Sequence, residues 1–260
     1  MHFSSTLLPL ILGTTLAVNA RSLPKRCDDH NSTSGHSIDF TKFDASQDTV
    51  EEFLNNRQYK ISNYTVGAGP GLIPHDFEKP NVDIVDGALT LLVKGQDDRR
   101  SISTAQIESF DKYTYGTLET IAKATPTPGV CQGIFFYDND NAEVDIELLS
   151  SYYDEGTDVV TPGAQFTNQA LKANQAPTSL AKDFGFDPTA DFHNYTIRWS
   201  ETKTEFWVDG NFQTAFTENV PRTASTIMYN NWSNGNPGWS AGPPRDAAIF
   251  SIKSFKYTPL

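Results

Sequence analysis

The chain is expected to fold as an all-β, antiparallel β-sandwich of the jelly-roll type, and three observations carry that expectation. Short segments in which apolar and polar residues alternate recur along most of the 260 residues, which is the period of a strand with one buried face. Aromatic residues reach 12%, and 17 Gly and 15 Pro punctuate the chain, as suits many strands joined by many turns. No βαβ rhythm occurs, and with only 20% charged residues the composition disfavours coiled coil and disorder. A sandwich that bends buries one face of each sheet and leaves an outer face as a concave trough able to hold an extended chain.

Taken in order, residues 1–20 read as a signal peptide. An apolar run from Leu7 to Leu16, interrupted by Pro9, is followed by Val18-Asn19-Ala20 as a small-residue cleavage site. The run is too short for a membrane span of ~20 apolar residues. A short propeptide over 21–26 ends at the dibasic pair Lys25-Arg26. Residues 27–260 contain no linker, repeat or low-complexity block, and one domain is expected there. Its strands are expected at Ser37 to Phe43, Asn81 to Val85, Leu89 to Lys94, Tyr115 to Ala122, Asn194 to Trp199 and Glu205 to Val208. The last runs into Asp209-Gly210, a type I′ hairpin signal. The one helical candidate is Asp44 to Asn55, capped by Asp44 or Ser46 and carrying Val50, Phe53 and Leu54 on one side.

Charge narrows the partners. Twenty Lys and Arg against 32 Asp and Glu give a net charge of −12, which argues against nucleic acid and anionic membranes. A neutral polysaccharide bears no penalty from that field, and a monomer is expected. Cys27 and Cys131 are the only cysteines. In an oxidising compartment they form one disulfide, worth up to ~4–5 kcal/mol in the chain-entropy model; two free thiols are the alternative. Sequons at Asn31, Asn63, Asn194 and Asn231 are candidate glycosylation sites consistent with a secreted, extracellular or cell-wall-associated protein.

The segment that carries chemistry is Glu143-Val144-Asp145-Ile146-Glu147. On a strand the three acids share one face and Val144 and Ile146 the other. Crowded carboxyls repel, and neighbours that force their pKa values apart suit acid–base work. A retaining glycosidase needs two carboxyls ~5–5.5 Å apart, one ionised and one protonated. Cα atoms four residues apart on a strand lie ~13 Å apart, so the outer pair must lean together across a concave strand, with Asp145 between them. A solvated acidic face and a calcium site are the alternatives on spacing alone. Around the motif lie Gly133-Ile134-Phe135-Phe136-Tyr137, the alternating Gln165, Thr167 and Gln169, and Trp232 and Trp239 in a Gly/Asn/Pro-rich stretch. Aromatic faces stack on sugar rings and amides bind hydroxyls.

With these residues in view, the chain from about Ile102 to Tyr257 resembles glycoside hydrolase family 16, the retaining β-glucanases and transglycosylases with a concanavalin A-like lectin/glucanase jelly roll. Tyr115-Gly116-Thr117-Leu118-Glu119, the E-x-D-x-E of 143–147, Phe192-His193-Asn194-Tyr195 with Trp199, Phe206-Trp207-Val208-Asp209-Gly210, and Asn230 with Trp232 carry the match. The resemblance implies Glu143 as nucleophile, Glu147 as general acid/base and Asp145 as the assisting carboxylate. It implies sugar contacts from Tyr137, Gln165, Asn230, Trp232 and Trp239, and neither cofactor nor metal. Thr167 and Gln169 stand where lichenase-like members carry Asn and Tyr. The motif lacks the residue that laminarinase-type members insert before the last Glu, so a regular strand is expected. The expected activity is a secreted endo-β-glucanase acting on β-1,3-1,4- or β-1,3-glucan. A cell-wall transglycosylase joining glucan or chitin chains and a non-catalytic lectin-like protein are the alternatives.

Overall fold

A computed structural model describes residues 31–95 and 100–260. The signal segment, the propeptide and Cys27 lie outside the described residues. Alternation becomes two large sheets. One runs, edge to edge, through Asn211–Phe216, Thr204–Val208, His193–Trp199, Gly116–Lys123, Ala248–Pro259, Ala88–Val93 and Val82–Val85, with His36–Asp39 also paired to Ala248–Pro259. The other runs through Thr178–Lys182, Ala164–Asn168, Ala142–Leu149, Cys131–Asn139, Thr226–Trp232, Ile102–Ser109, His75–Phe77 and Tyr64–Val66, with Tyr59–Ile61 added on Ile102–Ser109. Pairing in both sheets is antiparallel except where His75–Phe77 runs parallel to Ile102–Ser109. This is the jelly roll expected from the chain's period and composition.

The inner faces meet in one apolar core. Ile134, Phe136, Val144, Ile146 and Leu148 enter it from the second sheet, and Leu118, Ile197, Trp199, Phe206, Phe250 and Phe255 from the first. Each such side chain contributes about 1.5–3 kcal/mol by leaving water. The alternation therefore fixes where the acids go: with Val144 and Ile146 in the core, Glu143, Asp145 and Glu147 must stand on the outer face of the second sheet.

Local chemistry adjusts several boundaries. The helix is Val50–Asn55, capped by Thr49 rather than by Asp44 or Ser46. Glu52 N donates to Thr49 Oγ1 and Thr49 N to Glu52 Oε2, a reciprocal capping box. Asp44 instead closes its own turn, accepting from the backbone and hydroxyl of Ser46. The first expected strand stops at Asp39, whose carboxylate accepts from Thr41 N and opens a 3₁₀ turn over Phe40–Lys42. The Asp209-Gly210 hairpin forms with φ of 49° and 72°, the positive pair a type I′ turn requires.

The expected glycosylation site at Asn231 is corrected. Asn231 lies on the core side of Thr226–Trp232, 0% exposed, and its amide donates to Leu91 O at 2.8 Å and Ala248 O at 3.0 Å. Those carbonyls belong to the opposite sheet, so this amide ties the sandwich together and has no surface on which to carry a glycan. Asn63 is exposed and Asn194 half-buried on the outer face of the first sheet. The side chain of Asn31 lies outside the described residues.

Candidate active site

The acids sit mid-sheet. Ala142–Leu149 is paired on one side with Cys131–Asn139 and on the other with Ala164–Asn168. Register is unbroken across the motif, with Tyr137, Phe135 and Gly133 opposite Glu143, Asp145 and Glu147, so the strand is regular as expected. Extending the rows across the sheet places Gln165, Glu147, Gly133, Asn230 and Gln106 in one line. The next line holds Thr167, Asp145, Phe135, Met228 and Glu108, and a third holds Glu143, Tyr137 and Thr226. Cys131 and Trp232 face each other one row beyond Glu147.

This face is recessed. Asp145 is 2% exposed, Gln165, Thr167, Gln106 and Asn230 are buried, and Glu143 and Glu147 are half-buried. A fully solvated acidic strand would leave these alternate positions in water, which removes that alternative. Among the described residues no cluster of three or more His, Cys, Asp or Glu is arranged to hold a metal ion.

Burial dominates the electrostatics. It raises all three carboxyls above the ordinary carboxylate range. For Asp145 the charges of Glu143 and Glu147 add to the effect, and Gln169 Nε2, donating to Asp145 Oδ2 at 3.2 Å, opposes it. A hydrogen bond between Asp145 and Glu143 lowers Glu143 and raises Asp145, so the two share a proton. The three titrate as a set carrying fewer than three charges.

Glu147 is held differently. Its Oε1 accepts from Cys131 Sγ at 3.0 Å and from Trp239 Nε1 at 3.1 Å. Both bonds lower its pKa against the burial that raises it. The loop bearing Trp239 is stitched to itself: Ala241 N donates to Asn236 O at 2.7 Å, Asn236 N and Ser240 Oγ both donate to Asn234 Oδ1, and Tyr152 Oη donates to Pro237 O. The indole is thereby fixed over the carboxyl.

The other expected sugar-contacting residues are placed as follows. Trp232 is half-buried, stacks on the buried His75 ring at 5.2 Å and 25°, and packs against the cluster of Cys131, Leu149, Tyr152 and Val160. Asn230 Oδ1 accepts from Gly133 N, and a Cβ on Gly133 would stand 2.5 Å from that oxygen, so the glycine lets the amide seat beside Glu147. Tyr137 Oη donates to Asp140. Gln165, the remaining residue of that set, donates its amide nitrogen to the carbonyls of Thr161 and Gly163 and holds that loop. Three residues named from the sequence make contacts it did not assign: Gln169 on Asp145, Gly133 against Asn230, and Cys131 on Glu147. Counting back from the Asp138-Asn139-Asp140-Asn141 turn pairs Gly133 with Glu147, so the first strand's register was the available signal. The expected pairing of Cys131 with Cys27 falls on a residue outside the described ones.

A family model described as "Glycosyl hydrolases family 16" matches residues 75–247. A beta-glucanase of Brevibacillus brevis is 28% identical over 192 residues, covering 70% of each chain. Congo red hypersensitive protein 1 of Saccharomyces cerevisiae is 31% identical over 134 residues, which span 49% of this chain and 24% of that protein. In structure, a Bacillus licheniformis beta-glucanase superposes with a TM-score of 0.69 at 17% identity, over 87% of this chain and 98% of that one. A Crh5 transglycosylase gives 0.60 at 20% identity, over 89% and 87%.

Proposed function

The chain belongs to glycosyl hydrolases family 16, and we infer from that premise and from the site that it is a secreted, retaining endo-β-glucanase. The observation that carries this reading is the recessed trio, in which Asp145 and Glu143 are hydrogen-bonded to each other while Glu147 is held separately by Cys131 and Trp239. Two outer carboxyls in unlike settings suit unlike roles. Glu143, whose anion is favoured by its hydrogen bond with Asp145, attacks the anomeric carbon. Glu147 protonates the departing oxygen, and the Glu143 ester holds the donor glucan. Glu147, now a carboxylate, takes a proton from water, whose oxygen displaces Glu143 and restores the original anomer. Asp145 keeps its proton shared with Glu143 through both steps and buffers the loss and return of its charge. Trp232 stacks a donor-side ring, and Asn230 lies in the floor of the path.

The sandwich alone would also support a lectin, but buried carboxyls raised together are a cost that a binding module gains nothing from. A second reading has a specific support: relatives named Crh-like proteins match at 26% and 28% identity, beside the Crh5 transglycosylase fold. There the acceptor that Glu147 deprotonates is a sugar hydroxyl, and glucan or chitin chains are joined. The test is proton NMR of the first product anomer together with product analysis on mixed-linkage and β-1,3-glucan, with and without a labelled chitin-oligomer acceptor. New reducing ends in the β configuration support the glucanase. Lengthened labelled chitin oligomers support the transglycosylase, α-anomeric first product overturns retention, and binding without any new product overturns both enzymes.

A further inference from the structure

We propose that Cys131 is a positioning residue for the acid/base: its thiol, with the Trp239 indole, saturates Oε1 of Glu147 and so leaves the transferable proton on Oε2. The inference rests on the assignment of Glu147 made above. Three observations carry it. Cys131 stands on the outer face of its strand, beside the Gly133 that pairs with Glu147, and its sulfur reaches Glu147 Oε1 at 3.0 Å. An indole N–H only donates, so Trp239, at 3.1 Å from the same atom, occupies one lone pair. Burial and the neighbouring charges of Glu147 and Asp145 raise the Cys131 thiol well above its ordinary value, so the sulfur stays protonated and donates to the other lone pair.

The consequence follows from the valence of a carboxyl. An oxygen that accepts two hydrogen bonds has no lone pair left to carry a proton on. Among the described residues the hydrogen bonds to the Glu147 carboxyl fall on Oε1 and none on Oε2, which is therefore where the acid proton resides before glycosidic cleavage and where the second proton is received. In the anion the same two donors stabilise the charge that Glu147 acquires when the leaving group departs. The titratable groups facing Glu147 are Glu143 and Asp145 on its own strand and Cys131 on the next; Gln165 on the opposite side and Trp239 above it are uncharged.

The experiment compares Cys131→Ala and Cys131→Ser with the parent, each checked for an unchanged melting profile. Each is assayed on glucan, whose leaving oxygen needs a proton, and on a 2,4-dinitrophenyl glycoside of the same oligosaccharide, whose leaving group does not. Cys131→Ala is expected to lose about ten-fold in kcat on glucan and little on the aryl glycoside. The alkaline limb of its glucan profile is expected to move up by about half to one pH unit, because Glu147 loses a donor that stabilises its anion. Cys131→Ser, which restores a donor, returns both readouts toward the parent. Equal loss on both substrates without rescue by Ser marks a packing role and overturns the proposal, as does an alanine variant with the parent's substrate ratio and alkaline limb. So does peptide mapping that finds Cys131 disulfide-bonded in the active enzyme, because a bridged sulfur has no proton to donate. Glu147→Gln is run in parallel. If it retains glucan turnover the acid/base assignment itself fails, whereas its inactivity beside a parent-like Cys131→Ala refutes only the role of the thiol.

Discussion

Glu143→Gln keeps the shape of the side chain and deletes its charge, and it should make the protein more stable while making it inactive. Burial first, then the charges of Glu147 and Asp140, push Glu143 from 4.5 up to about 8, against a hydrogen bond with Asp145 that pulls the other way. Below pH 4.5 the carboxyl is protonated in both folded and unfolded chains. Between 4.5 and 8 the unfolded chain releases its protons while the folded trio still retains one that Glu143 shares with Asp145, so stability present at low pH is lost as pH rises through this window. The full difference corresponds to a ceiling of roughly 5 kcal/mol. Because Asp145 and Glu147 share the same charge, deleting one acid relieves about half of it, or roughly 2–3 kcal/mol, equivalent to roughly 4–12 °C in Tm for a domain of this size. Differential scanning calorimetry of parent and variant at pH 4 and pH 8 measures the effect. The gap should be near zero at pH 4 and open in favour of the variant at pH 8. An equal gap at both values, or a variant less stable than the parent at pH 8, refutes the crowding on which the electrostatics of the site depend.

The remaining predictions concern turnover, binding and modification. Glu147→Gln should lower kcat on glucan by about 10²–10⁴ with KM little changed. Asp145→Asn should be severely but incompletely impaired, and full activity in either variant removes that carboxyl from the mechanism. Trp232→Ala should raise KM several-fold through lost stacking while kcat holds; an unchanged KM on polymer would take Trp232 out of the binding path. Glycopeptide mapping of secreted protein should find no glycan at Asn231, whose amide is spent on Leu91 and Ala248, and glycan there would contradict the pairing of the two sheets through that residue.

The alternation of the chain determined by itself that Glu143, Asp145 and Glu147 share a face, because a period of two is a property of each strand alone. The Asp209-Gly210 hairpin was legible for the same reason, since both residues meet a local demand for positive φ. The E-x-D-x-E spacing likewise disclosed the family resemblance. What no local pattern could decide was the environment of those residues. Thr49 displaced Asp44 as the helix cap because a Glu three residues later completes a reciprocal pair of bonds. Gln165 was read as a sugar contact, and two carbonyls of its own loop hold its amide nitrogen. Asn231 satisfies a sequon, but only the meeting of two sheets from distant parts of the chain buries it. Cys131 was read by counting cysteines, whereas strand pairing and the folded Trp239 loop bring its sulfur and an indole onto one oxygen of Glu147. Burial, partner and proton position are long-range quantities, set by which segments pack together, and so they entered only with the tertiary structure.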